Sequence, residues 1–279
     1  MNDNIRESRE LAKQRKQERK AQAKQKADQP QEKPNLPSAK PRSGGGRVDP
    51  PTVQLSKALA YILRHGAAKE FLPVRSDGYI RVDLILARPR IQKIEMPGDG
   101  EESHSPTLED VQHVLATDTK KRYEMAAGTA DSPTEAGDVY WIRAVQGHSM
   151  SQVENLEHTQ ITSENVGQHL RTTSDPPVHF AVHGTSTEAW DKIVASGGLS
   201  TMGRNHIHLA IDRIGEGVIS GMRQSCTRFV YVDVSKALRD GVPFYISQNG
   251  VVLTQGVGDT TKLPLEYVLR TEDAEGKIV

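Results

Sequence analysis

The feature that most constrains this chain is the run from Leu55 to Gly66. Leu55, Leu59, Ile62 and Leu63 recur there at i, i+4, i+7 and i+8, which predicts a helix with one buried apolar face. The run closes on Arg64, His65 and Gly66. A glycine at that point can take the left-handed conformation that ends a helix, leaving two cationic side chains beside the exposed last-turn carbonyls. The macrodipole alone favours Arg and His there, so the run admits a purely structural reading beside an anion-binding one.

Composition sets the bounds. With 279 residues, 35% hydrophobic and 26% charged, the chain suits a soluble globular protein of two lobes with polar additions. Zero net charge conceals an asymmetry, because residues 1–50 carry 13 Lys or Arg against 7 Asp or Glu. The single cysteine, Cys226, excludes an internal disulfide and a cysteine-based zinc site. No helical His-x-x-x-His pair or carboxylate-rich loop makes a metal site the first guess, so no metal is expected. No apolar run approaches the roughly 18 residues needed to span a bilayer, and the N-terminus lacks the apolar centre of a signal peptide. The expectation is a cytoplasmic and/or nuclear protein with no membrane partner.

Residues 1–28 are nearly all Arg, Lys, Gln, Glu and Ala, too polar to offset the entropy of ordering; residues 29–51 are Pro- and Gly-rich linker. Residues 1–51 therefore read as a disordered basic tail, with non-specific attraction to phosphate backbones as the functional alternative. Over 52–151 the pattern is helical, then extended. Asp77-Gly78 predicts a turn, Tyr79 to Val82 a short strand, and Asp83 to Ala87 a helix capped by Asp83. Thr107 to Thr117 predicts a helix behind a Thr107 cap, set between polar loops at 95–107 and 127–137. Arg122 to Met125 and Val139 to Val145 predict paired strands. Helices followed by a hairpin is the order of a winged-helix module.

Residues 178–271 read as an α+β sheet lobe. Strands are expected at Val178 to His183, His206 to Ala210, Phe229 to Asp233, Val251 to Thr254 and Leu265 to Leu269. Helices are expected at Thr187 to Ser196 and Val234 to Asp240, with turns at Gly197 to Leu199 and at Asn249-Gly250. No Gly-x-Gly-x-x-Gly dinucleotide order and no Walker-type phosphate loop occurs. Arg143 within an apolar strand must either meet a carboxylate or face an anion. His183 stands before Gly184, which would let a ligand approach the backbone, and His183 and His208 are strand histidines open to a packing or a ligand role.

The ordered set Leu55–Gly66, Asp77-Gly78-Tyr79, Arg122-Tyr123, Ile142–Ser149, His183–Thr185, His206–Leu209, Gly221–Arg223 and Asn249-Gly250 resembles the NAD-dependent tRNA 2′-phosphotransferase family over about residues 52–270. The resemblance implies an N-terminal winged-helix RNA lobe and a C-terminal ADP-ribosyltransferase-like NAD lobe. It implies transfer of the splice-junction 2′-phosphate of tRNA to NAD+ through an RNA–phospho-ADP-ribose intermediate. The products would be 2′-hydroxyl RNA, ADP-ribose 1″,2″-cyclic phosphate and nicotinamide, with NAD+ consumed. It places Arg64, His65, Arg143 and Arg223 on catalytic positions and His183, Gly184, Thr185 and His208 on NAD-binding strands. Valine at 182 replaces the family's usual tyrosine, and both polar loops are longer than in compact members.

These residue types suit the chemistry. A 2′-phosphate monoester carries close to two negative charges, and guanidinium forks hold such a group by paired, charge-assisted hydrogen bonds where lysine offers charge without the fork. The competing readings are an ADP-ribosyltransferase that stops after the first step, acting on nucleic-acid phosphates or protein, and a non-catalytic RNA-binding adaptor. The expected partners are 2′-phosphorylated tRNA and NAD+, and the expected state is a monomer.

Overall fold

In the computed structural model, which describes residues 48–98, 100, 102–173, 177–213, 221–223 and 225–279, the apolar face of the opening run is a core face. Leu55, Leu59, Ile62 and Leu63 are fully buried. The expected tail lies outside the described residues as far as residue 47. Helix α1 (Pro51–Tyr61) begins on a proline, whose missing N–H costs nothing at a first turn. It widens into a π-helical turn, Ile62–Gly66.

Gly66 does not stop this helix. Ala67 is still right-handed, and termination comes at Phe71, φ +55°, where Leu72 N–H donates to the Ala67 carbonyl at 2.9 Å. Gly66 serves packing, since a Cβ there would stand 2.3 Å from the Tyr61 ring. Phe71 occupies a position that usually falls to glycine, at a conformational cost of about 1 kcal/mol. Phe71→Gly should accordingly raise unfolding stability by about 1 kcal/mol, read as a higher urea midpoint at unchanged slope. A lower midpoint would mean that the ring contributes packing.

The first core gathers β1 (Ile80–Arg81), α2 (Val82–Leu86), α3 (Pro89–Gln92), the ribbon β2 (Met96–Pro97) and β3 (Ser103–His104), α4 (Leu108–Thr117), β4 (Tyr123–Gly128) and β5 (Val139–Ala144) around α1. Strands β1, β5 and β4 form an antiparallel sheet in that order. Thr107 and Asp110 close the expected capping box on α4. Asp83 does not cap α2. The N-cap is Arg81, and Asp83 lies in the first turn, paired with the Arg81 guanidinium at 2.6 Å.

The second core is built by β6 (Thr159–Ile161), α5 (Val166–His169), β7 (Phe180–Thr185), α6 (Thr187–Ser196), β8 (Gly198–Ser200), β9 (Ile207–Ala210), β10 (Arg228–Asp233), α7 (Val234–Arg239), β11 (Phe244–Ile246), β12 (Val251–Thr254), β13 (Lys262–Pro264) and β14 (Val268–Asp273). Seven strands form one sheet in the order β14-β10-β7-β9-β12-β11-β6, and β8 pairs with β13. Helices and antiparallel strands together make an α+β protein. Strands β6, β8, β11 and β13 have three residues each, too few for alternation to reveal them. Leu265–Tyr267 is a 3-10 turn rather than the expected strand, which starts at Val268. The Asn249-Gly250 turn joins β11 to β12 as expected. The buried Asn249 amide also donates to the Lys120 carbonyl at 2.9 Å, tying the second core to the first.

Candidate active site

The π turn of α1 delivers Arg64 and His65 to the loop 145–149 after β5. Ser149 N–H donates to the Arg64 carbonyl at 2.9 Å, and Ser149 Oγ meets His65 Nδ1 at 2.8 Å. Gly147, φ +91°, passes so close that a Cβ would stand 3.2 Å from Arg64 Nε, so the glycine fits this position by both backbone and space. Arg64 Nε and Nη2 and both ring nitrogens of His148 are buried with no partner among the described residues. Burial, with the nearby Arg64 charge, pushes His148 down to about 3.

The second core contributes through the turn before β9. Asn205 N–H donates to the His148 carbonyl at 2.8 Å, and its side-chain amide donates to the Met150 and Val153 carbonyls. That stitching fixes Arg204 against the first core. Partial burial, then the charges of Arg204 and Arg64, lower the His65 pKa. Burial lowers Arg64, with further depression from Arg204 and Arg122; Arg204 is lowered by burial and then by Arg223. His208 is pushed down to about 3 by burial, Arg204, His206 and Arg64, and its Nε2 is buried with no partner among the described residues. Arg122 is held from behind by Asp118 and Ser56. Guanidiniums that depress one another, with no carboxylate paired to Arg64 or Arg204 among the described residues, form a site that an anion would relieve.

Two of the four expected catalytic positions, Arg64 and His65, lie at the heart of this cluster, and the exposed Arg223 lies at its edge through Arg204. Arg143 resolves to the carboxylate alternative. It is 3% exposed and bonded to Glu124 at 2.8 Å, Glu157 at 3.1 Å and the Asp77 carbonyl at 3.2 Å, with Tyr79 stacked on it at 4.6 Å. Those contacts engage each of its three nitrogens. Arg122 and Arg204 were not anticipated. Arg122 was visible as half of a strand-opening pair and of a family motif, with no role attached, and Arg204 stands two residues before the His206–Leu209 motif.

On the second sheet, His183 Nδ1 lies 3.0 Å from the His208 carbonyl, an arrangement that requires the proton on Nδ1 and leaves Nε2 as the acceptor. At Gly184 a Cβ would stand 2.3 Å from Met222 Cγ, so the position has no room for a larger residue. Thr185 ends β7, its carbonyl accepting from Thr227 N–H at 2.9 Å. Among the described residues, no group of three or more His, Cys, Asp or Glu is arranged to hold a metal, and no helix is long and apolar enough to cross a membrane.

A family model described as RNA 2′-phosphotransferase, Tpt1 / KptA family, matches residues 50–256. The chain belongs to this family. It is 42% identical to the tRNA 2′-phosphotransferase 1 of Danio rerio over 205 residues, which are 73% of this chain and 78% of the relative. It is 42% identical to the mouse tRNA 2′-phosphotransferase 1 over 76% of this chain and 74% of the relative. To the tRNA 2′-phosphotransferase of Saccharomyces cerevisiae it is 32% identical over 74% of this chain and 79% of the relative. In this RNA 2′-phosphotransferase family member, the matched span contains every residue of the cationic cluster and both β7 and β9.

Proposed function

We propose that this family member transfers the splice-junction 2′-phosphate of tRNA to NAD+, passing through an RNA–phospho-ADP-ribose intermediate. The products are 2′-hydroxyl RNA, ADP-ribose 1″,2″-cyclic phosphate and nicotinamide. The observation that carries this reading is the cluster itself: Arg64, Arg122 and Arg204 converge from both cores, and neither Arg64 nor Arg204 is paired to a carboxylate among the described residues. Their forks hold the phosphoryl oxygens and stabilise charge as phosphorus is attacked. His65, with Nδ1 fixed by Ser149, presents Nε2 to the phosphate. Neutral in the free protein because burial and two arginines hold its pKa down, it takes up a proton when the dianion binds and gives it to the departing RNA oxygen. Arg223 guards the rim, and Arg143 braces β5 and β4.

Bound NAD+ supplies an activated ribose carbon with nicotinamide as leaving group. The polar atoms that suit it are His208 Nε2 and His183 Nε2, with Gly184 and Thr185 shaping the strand edge between them. We read the first core as a winged-helix RNA lobe and the second as an ADP-ribosyltransferase-like lobe, and the chemistry described needs no metal.

The test is incubation of the full chain with NAD+ and an RNA bearing one internal 2′-phosphate. Conversion to 2′-hydroxyl RNA with release of nicotinamide and the cyclic phosphate is expected. A stable ADP-ribosylated RNA would assign a transferase that stops after one step, and binding without nicotinamide release would assign an RNA-binding adaptor. His183→Ala should raise the KM for NAD+ by roughly tenfold, the worth of about one hydrogen bond, with the KM for RNA unchanged. An unaltered NAD+ dependence would make His183 a packed strand residue only.

A further inference from the structure

Among the described residues, two large apolar side chains combine near-complete exposure with a left-handed backbone: Phe71, 89% exposed at φ +55°, and Met202, 86% exposed at φ +52°. For Phe71 the geometry of a helix end accounts for the backbone. The Met202 backbone is that of the first central position of a type I′ turn, a place that ordinarily falls to Asn, Asp or Gly rather than to methionine. Met202 sits at the tip of the turn 201–205, followed by Gly203 at φ +77°. The turn is held by Arg204 N–H donating to the Thr201 carbonyl at 3.1 Å and by Met202 N–H donating to Ser200 Oγ at 3.3 Å. A glycine would close this turn with less strain, and the thioether gains no burial from being there.

What the turn carries is Arg204, and Asn205 immediately after it is pinned to the first core through the His148, Met150 and Val153 carbonyls. Two residues of chain span at most about 7 Å, so the root of Met202 is fixed close to that of the phosphate-binding arginine. In a 2′-phosphorylated nucleotide the base hangs from the carbon next to the one bearing the phosphate. A phosphate seated on Arg204 therefore brings its own base within the reach of a flexible four-atom side chain. A thioether is polarizable and adaptable, and it makes favourable contacts with aromatic rings.

We propose that Met202 is a substrate-contacting, specificity-determining residue whose thioether packs against the nucleobase of the nucleotide that carries the 2′-phosphate. The inference rests on the reading of Arg204 as a phosphate ligand. The alternative occupant, the nicotinamide end of NAD+, fits less well. The polar atoms suited to NAD+ belong to the partly buried His183 and His208 on β7 and β9, whereas Met202 stands at the solvent edge where a polymer must enter.

The test uses two RNAs, one with its 2′-phosphate on an adenosine and one with it on an abasic nucleotide, and the full-length chain with Met202→Gly and Met202→Leu. On the adenosine substrate Met202→Gly should raise the RNA KM by about five- to tenfold with kcat and the NAD+ KM unchanged, and Met202→Leu should retain most of the wild-type affinity. On the abasic substrate wild type and Met202→Gly should be equal. Met202→Gly should melt no lower than wild type, since it relieves the left-handed backbone. An equal penalty on both substrates, a change in the NAD+ KM instead, or no change in the RNA KM would each overturn the assignment. If the wild type leaves 2′-phosphates in place, the phosphotransferase reading fails on its own. Fluorescence anisotropy binding of the same two RNAs then still measures whether Met202 touches the base.

Discussion

Arg64→Ala and Arg204→Ala should each lower kcat on 2′-phosphorylated RNA by on the order of 10²–10³-fold, the usual cost of losing a preorganised donor at developing charge, while leaving the melting temperature nearly unchanged. Each of these guanidiniums depresses its neighbours, and two nitrogens of the half-buried Arg64 are buried with no hydrogen-bond partner among the described residues. Removing one relieves repulsion as it removes a ligand for phosphate, so activity and stability should separate. Arg143→Ala should do the opposite. Its loss strands Glu124 against β5 and frees the Asp77 carbonyl. The cost should be about 2–3 kcal/mol, below the roughly 3–5 kcal/mol of a fully buried pair because Glu157 is 73% exposed. Turnover per folded molecule should then fall only modestly, and Arg143→Lys should restore part of the stability, since an ammonium cannot satisfy two carboxylates and a carbonyl in one plane. Urea titration beside single-turnover kinetics makes the comparison. Arg143→Ala with wild-type stability and no turnover would show that this arginine leaves its carboxylates to bind substrate.

The contrast between Arg143 and Arg204 shows where sequence reasoning reached and where it stopped. The apolar face of α1, the capping box at Thr107 and the hairpin of β4 with β5 were legible because each rests on a local period or a local side-chain bond. Even the partner of Arg143 was within reach, because Glu124 lies directly opposite it in the β4–β5 ladder. What the sequence withheld was the register, set by the intervening 129–138 connection. The π turn was hidden for a different reason. No periodicity encodes an extra residue in a helical turn, and the one residue that this turn demands, Gly66 against the Tyr61 ring, reads in sequence as a helix stop. Arg204 was passed over because its role depends on Asn205 crossing to the first core, a contact that links residues more than fifty positions apart. Resemblance located the family, and the geometry shows that Arg143 is paired to carboxylates while Arg64 has none among the described residues.

Burial of histidines around the cluster makes the fold sensitive to acid. His148 and His208 are pushed down to about 3 and His206 to about 4, all chiefly by burial, from an ordinary value of 6.5. Each folded pKa lies below the unfolded one, so below about pH 6.5 the unfolded chain binds protons that the folded chain refuses. Stability contributed by these rings is thus complete above pH 6.5 and is lost as the pH falls toward 4. One such histidine changes stability by up to about 1.4 kcal/mol per pH unit, so three together approach about 4 kcal/mol per unit in that window. The urea midpoint should be level between pH 7 and 8 and should fall steeply from pH 6 to 5, and His148→Gln should flatten the slope by roughly a third. An anion in the cluster should oppose the effect, because negative charge beside His65 and His208 favours their protonated forms. Sulfate, which does not titrate here, should therefore stabilise the protein more at pH 5.5 than at pH 7.5, with Arg204→Ala abolishing the difference. A midpoint that stays level down to pH 5 would mean that these rings take up their protons inside the folded protein, and that the cluster tolerates charge without an anion to balance it.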